Sequence, residues 1–359
     1  MNFIKNILRL TFAALNLLAA AAYLLSAYSP YVSPMEHKYL ACMGLAFPIV
    51  ALANAAFVLV WVVLKPVFAL FPIAVLLFGW GSLNVYCPFG QKVEPAGRTL
   101  TLLTYNTQGL AIVPGQKDFS SNHVLGYIID IGADIVCLQE VNTSNKYFRK
   151  RIDNYMSDHY PYRSFRTFSS GNGVACFSRY PILSSEQVEY DSQTNGSVLY
   201  RIALEGDTLV LVNNHLESNK LNADDKDDYR RILAKYTPTD SVKAAGKNLL
   251  RKLADAGRLR APQADSVAKA LRREPARLMI ACGDFNDSPI SYSHRVIGEG
   301  MDDAFVRAGS GFGTTYHDSR MYVRIDHILV SRAFTVADCQ VDRTIAESDH
   351  YPVRAVLCY

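Results

Sequence analysis

The stretch 278–287, Leu-Met-Ile-Ala-Cys-Gly-Asp-Phe-Asn-Asp, passes from five mostly apolar residues through Gly283 into Asp284, Phe285, Asn286 and Asp287. A buried strand with such an ending has two readings. Gly, Asn and Asp tolerate left-handed backbone and cap helices, so the segment reads as a turn. Strand ends also hold reactive groups in fixed positions, so it reads as one wall of an active site.

The same ending recurs along the chain. TLLTYN (101–106) closes on Asn106, DIVCLQE (134–140) on Gln139 and Glu140, and LVLVNNHLES (209–218) delivers Asn213 and His215. RIDHILV (324–330) carries Asp326, and ESDHYPV (347–353) sets Asp349 and His350 just before the last apolar run. One such ending is a turn, but six form a pattern. Ionisable groups at strand ends are costly unless paired or metal-bound, which singles out Glu140 and the Asp326 and His350 pair. His327 follows Asp326 directly, and strand alternation turns it to the opposite face, as a packing residue.

The surrounding pattern is alternating strands and helices. Strands are expected over 99–106, 133–140, 174–180, 197–205, 208–216, 277–284, 323–331 and 351–358. Most hold continuous apolar stretches, which implies sheets covered on both faces. A helix is expected from Ser121 or Asn122 to Gly132, and another over 144–157. Together these describe an α/β domain over 99–359. Its cysteines, among them Cys137, Cys176 and Cys282, form no CxxC pair and sit where a strand takes a small apolar residue, so they read as buried free thiols. The net charge of +4 is too small to argue for nucleic acid.

Residues 219–277 differ, with 15 Lys/Arg against 8 Asp/Glu and helical spacing at Val242, Ala245, Leu249 and Leu253. The segment reads as a basic helical excursion over the domain surface, or as an arm for anionic headgroups or a polyanion.

The N-terminus reads as a membrane anchor, residues 1–90. Three apolar runs, about 7–28, 39–64 and 66–87, contain a single charged residue, Arg9, and each is long enough to cross a bilayer as a helix. A cleavable signal peptide is the alternative for the first. Lys5, Arg9 and Lys65 belong on the cytoplasmic side, which sends everything after the third run to the far face. In a bacterial inner membrane that is the periplasmic side. The Pro/Gly-containing stretch PFGQKVEPAGR (88–98) reads as a short tether, residues 91–98 linking anchor to domain.

TYN (104–106), LQE (138–140), GVACFSRYPI (173–182), NNHLES (213–218), GDFN (283–286), RIDHILVS (324–331) and SDHYPV (348–353), in that order, resemble the endonuclease/exonuclease/phosphatase superfamily. Deoxyribonuclease I, the abasic-site endonucleases, neutral sphingomyelinases and inositol polyphosphate phosphatases belong to it. The resemblance implies a deoxyribonuclease I-like four-layer α/β/β/α sandwich after the transmembrane helices, and metal-assisted hydrolysis of a phosphate ester. It implies Glu140 as the principal Mg²⁺ ligand, with Mn²⁺ as a substitute, and Asn106 and Asp349 completing or ordering the metal sphere. It further implies His350 paired with Asp326, Asp284 orienting or deprotonating water, Asn286 donating to the phosphate, and His215 on the phosphate or leaving group. The residue types suit the task, because a phosphodiester repels hydroxide and needs its charge neutralised and a water placed in line.

NNHLES resembles the deoxyribonuclease, sphingomyelinase and phosphatase branches more than the abasic-site branch. The expected partners are a bilayer and a phosphate ester, whether lipid headgroup, inositol phosphate or nucleic acid, with no obligate protein partner. An extracytoplasmic nuclease is the alternative enzyme, and a non-catalytic binding module the alternative outside enzymes.

Overall fold

The computed structural model describes residues 2–111, 122–142, 144–169, 171–192, 194–234 and 240–359. The apolar N-terminus forms α1 (Asn2–Tyr28), α2 (Pro34–Ala41), α3 (Phe47–Leu64), α4 (Leu70–Phe78) and α5 (Trp80–Tyr86). Two stretches, Asn6–Tyr31 and Pro34–Leu64, are long and apolar enough to cross a membrane. The third apolar run breaks into two pieces inclined by 64°. The break falls at Gly79, where a Cβ would lie 2.4 Å from the Tyr23 hydroxyl. Polar residues inside the bundle bond across helices. Trp61 Nε1 donates to Asn16 Oδ1 at 2.8 Å, and Asn54 Nδ2 donates to Ala19 O at 2.9 Å.

The remainder contains β1 (Thr99–Asn106), β2 (Ile135–Asn142), β3 (Tyr162–Thr167), β4 (Asn172–Ser178), β5 (Ile182–Gln187), β6 (Gly196–Leu204), β7 (Asp207–His215), β8 (Leu278–Asp284), β9 (Met301–Asp303), β10 (Asp326–Ser331), β11 (Thr335–Val341) and β12 (Val353–Cys358). They make two sheets of order β11-β12-β1-β2-β4-β3 and β5-β6-β7-β8-β10-β9. Alternation of side chains sorts the core. Leu100, Leu102, Leu209, Leu211, Leu278 and Ile280 point between the sheets, together with the buried thiols Cys137, Cys176 and Cys282. Leu103, Tyr105, Val136 and Leu138 point the other way, beneath α6 (His123–Ile131) and α7 (Lys146–Met156). Val210, Val212 and Ala281 pack outward against Ala264, Val267 and Leu271 of a long helix. The result is the expected four-layer α/β/β/α sandwich.

The eight strands expected from sequence are the interior ones. The four left out, β3, β5, β9 and β11, are the edges of the two sheets. Edge strands are short and polar on their free side, so apolar runs do not mark them. The two expected helices appear with Asn caps, Asn122 Oδ1 accepting from Leu125 N at 2.9 Å and Asn145 Oδ1 from Tyr147 N at 3.0 Å. Ser121, the other candidate start, lies outside the described residues.

The basic segment becomes α8 (Ala223–Ala234) and α9 (Asp240–Arg273), with residues 235–239 outside the described part. The excursion reading is corrected here. From Ala254 onward α9 buries Ala261, Ala264, Val267, Ala268 and Leu271, and supplies an outer layer of the sandwich. Small alanines allow that close packing while contributing little apolar bulk to the composition.

The link after the anchor is also bound. Gly90 N donates to Gly309 O at 2.8 Å, Gln91 N to Arg307 O at 3.0 Å and Val93 N to Ala337 O at 3.0 Å. The N-terminal bundle itself rests on the α/β domain: Lys38 pairs with Asp255 at 2.5 Å, Arg295 Nε donates to Pro30 O at 2.8 Å, and Arg324 donates to Val85 O. These contacts lie at the end of the bundle opposite Lys65.

Candidate active site

Strand direction gathers the polar endings. β1 and β2 are parallel, as are β7 and β8, so their C-terminal ends share one rim. β10 and β12 run antiparallel to β8 and β1, and therefore begin at that rim. One sheet brings Asn106, Glu140, Asp349 and His350, the other His215, Asp284 and Asp326. Gln139 and Asn213 bolt the sheets together beneath them. Gln139 Nε2 donates to Asn213 Oδ1 at 2.7 Å, and Asn213 Nδ2 donates to Leu138 O and Ala175 O at 3.2 Å.

Local backbone departs from regular strand at Glu140 and at two neighbours of Asp284. Glu140 has φ +55°, at a break in the β2–β4 register between Leu138 and Val141. The bulge turns its carboxylate into the rim. Asn286 has φ +51°. Gly283 has φ +122°, and a Cβ there would lie 2.1 Å from Asn214 O, so only glycine allows β8 to lie this close to β7.

Asp284 is the hub. Its Oδ2 accepts from Asn106 Nδ2 at 3.0 Å and Asn286 Nδ2 at 3.1 Å, and its Oδ1 accepts from Asn286 N at 2.7 Å. Burial pushes its pKa up to about 7, against the lowering pull of His350. His350 Nδ1 donates to Asp326 Oδ2 at 2.8 Å, and its Nε2 lies 3.9 Å from Asp284 Oδ2. Burial would lower this imidazole, but Asp326 and Asp284 outweigh it and raise it to about 10. His215 goes the other way, lowered to about 4 by burial and by the charge of His350. Its buried Nε2 has no hydrogen-bond partner and sits 3.6 Å from Glu140 Oε1 and 3.8 Å from Asp284 Oδ2. Asp349 is raised by burial, with the Glu140 charge acting in the same direction.

The amide of Asn286, expected to donate to phosphate, here donates from Nδ2 to Asp284 Oδ2 and, at 3.0 Å, to Leu216 O. One amide hydrogen thus holds Asp284 and the other ties the loop to β7's end at Leu216. Asn106, expected to complete or order the metal sphere, turns Nδ2 toward Glu140 at 3.3 Å and Asp284, while its Oδ1 accepts from Gln108 N at 3.2 Å. In this arrangement the amide ties two carboxylates together.

Three supporting residues carried no signal in the strand pattern. Thr315 Oγ1 accepts from Ile325 N at 3.0 Å and Asp326 N at 3.1 Å, and the Tyr316 ring meets His350 edge-on at 5.1 Å. Ser348 Oγ donates to Asn106 O at 2.8 Å. His327 behaves as expected, packed against Phe285 and His294 on the far face of β10.

The cluster suits a divalent cation. Glu140, Asp284, Asp326 and Asp349 share the rim, and among the described residues none has a Lys or Arg within ion-pair distance. Oxygen atoms of Asp284 and Asp326 and a ring nitrogen of His350 lie within 4.8 Å of one another. Clustered carboxylates without basic partners take up protons or a hard cation.

The Endonuclease/Exonuclease/phosphatase family matches residues 103–350. A domain of unknown function matches residues 8–86. No curated protein matches the sequence. Among solved structures, humanized TDP2 of D. rerio superimposes with a TM-score of 0.51 at 16% identity, over 73% of this chain and 99% of that one. An endonuclease/exonuclease/phosphatase from Beutenbergia cavernae gives 0.51 at 17%, over 73% and 72%. The human Nocturnin catalytic domain, with bound sulfate, gives 0.50 at 16%, over 74% and 96%. At these identities the likeness is one of fold.

Proposed function

The chain belongs to the endonuclease/exonuclease/phosphatase family of phosphate-ester hydrolases, and from that premise we propose that it is a membrane-tethered, Mg²⁺-dependent phosphoesterase acting outside the cytoplasm. The observation that carries this reading is the rim itself, where four carboxylates with no Lys or Arg partner among the described residues surround two imidazoles of opposite tendency.

Glu140 and Asp349 would hold the cation, with Asn106 ordering Glu140. When bound, Mg²⁺ supplies positive charge to the non-bridging phosphate oxygens. Asp284, kept half-protonated near neutral pH and locked by three amide donors, accepts a proton from the attacking water. His350, held charged by Asp326, stabilises charge that builds on phosphorus and hands a proton to the leaving oxygen. His215, neutral, offers its unpaired Nε2 to a phosphate oxygen or the leaving group.

Location rests on charge and packing. The domain docks on the end of the helical bundle opposite Lys65, and the positive-inside rule sends Lys65 to the cytoplasm. A periplasmic reporter fused after residue 98 is therefore active, and an inactive fusion reverses the topology. Catalysis is tested with full-length protein against plasmid DNA, RNA, phospholipid, inositol phosphates and an aryl phosphodiester, each with Mg²⁺ and with chelator. Turnover that survives chelation, or turnover of none of them, removes the reading.

A further inference from the structure

Beside the carboxylate rim lies a cavity of about 350 Å³ with a group of apolar side chains in its lining. Leu221, Tyr229, Leu249, Leu253 and Met321 line it, joined by Leu45 from the membrane anchor. Glu140, Asp284, Asp349 and His350 line it too. A site for small polar esters has no use for such a group, and pockets take ligands that match their lining.

Leu45 joins the cavity to the apolar N-terminal helices. It lies two residues before Phe47, the first residue of the apolar helix α3, and is 40% exposed. Its position is set by close backbone contact, because a Cβ on Gly44 would lie 2.0 Å from Ile290 O. No glycine substitution leaves that contact intact.

The charges near the cavity suit one phosphate better than a polyanion. Lys220 is held by Glu217 at 2.7 Å, Lys226 by Asp318 at 2.6 Å, and Arg260 by Asp287 at 3.2 Å. On α8 and α9, Arg230, Arg231 and Lys252 are likewise paired, with Asp227, Asp228 and Asp225. A nucleic-acid track needs a line of cations free to displace counterions.

We propose that the substrate is a phospholipid drawn from the adjoining leaflet, its phosphodiester at the rim and one acyl chain along Leu45, Leu249 and Leu253. The inference rests on the phosphoesterase reading and names its substrate class. In the reaction a water oxygen bonds to phosphorus and one P–O ester bond breaks. The water's proton passes to Asp284, and the departing alkoxide takes a proton from His350, leaving an alcohol and a phosphomonoester.

The test uses full-length protein in nanodiscs with Mg²⁺ and a series of alkyl nitrophenyl phosphodiesters from butyl to dodecyl. Burial of successive methylenes raises kcat/KM at least tenfold across the series. The doubly substituted Leu45→Asn, Leu249→Asn protein shows a dodecyl-to-butyl ratio reduced at least tenfold. Vesicles of phosphatidylglycerol release phosphomonoester or phosphorylated headgroup when mixed with the wild-type protein. A flat chain-length series in the wild type overturns the lipid assignment whether or not the variant folds, and a flat series with cleavage of plasmid DNA makes the protein a nuclease. Failure to hydrolyse even the butyl ester instead overturns the phosphoesterase reading beneath it.

Discussion

His350 Nδ1 donates to Asp326 Oδ2 at 2.8 Å although the two residues come from different sheets, Asp326 opening β10 and His350 preceding β12. The carboxylate is buried, its second oxygen has no partner, and the imidazole it holds is raised to about 10. An imidazolium with that affinity stays charged throughout the neutral range.

Replacing Asp326 by Asn removes the charge that offsets burial. His350 then loses its proton at lower pH, and the basic limb of the pH–rate profile moves down toward neutrality. Activity at neutral pH falls about 10²-fold or more. A profile that keeps its basic limb would show that the pair does not govern the proton.

Glu140→Ala removes a carboxylate held in left-handed backbone at the bulge. Hydrolysis falls by at least ~10²-fold, as for loss of a metal-held transition-state contact. The melting temperature of the metal-free protein stays level or rises, because like-charge repulsion is relieved, and the shift produced by Mg²⁺ disappears. Thermal melts with and without Mg²⁺ read both effects.

Asp284 binds its proton more tightly folded than unfolded. Its contribution to stability is therefore complete below the ordinary carboxylate range and is lost as pH rises through about 7. A cation held by Glu140 and Asp349 is favoured by negative charge on the neighbouring Asp284, so the Mg²⁺-induced rise in melting temperature is larger at about pH 8 than at about pH 6. An equal rise at both would separate Asp284 from the cation.

Gly283→Ala forces a side chain into left-handed backbone and against Asn214 O. The cost is about 2–4 kcal/mol, read as a lowered denaturation midpoint. Because β7 and β8 carry His215 and Asp284 in register, activity is lost with the packing.

Much of the site was readable because its residues punctuate apolar runs. Asn106, Glu140, His215, Asp284, Asp326, Asp349 and His350 each end or begin a strand that the local pattern reveals, and their recurrence in order carried the resemblance. Thr315 and Tyr316 were silent, since GTTYH belongs to no run and its role arises only when the loop folds back on Asp326 and His350. Asn286 was legible as a site residue but not in its orientation, which Asp284 and Leu216 O decide.

The sequence by itself determined the interior strands, the Asn-capped helices, the apolar anchor and the set of chemical groups, because hydrophobic period and turn chemistry are local properties. Only the tertiary structure decided the sheet edges, the burial of the second half of α9, and the arrival of Leu45 in the cavity that Glu140 and His350 also line. Those depend on which surfaces meet across long stretches of chain, and small residues such as Gly44, Gly283 and the alanines of α9 set the distances while leaving almost no mark on hydropathy.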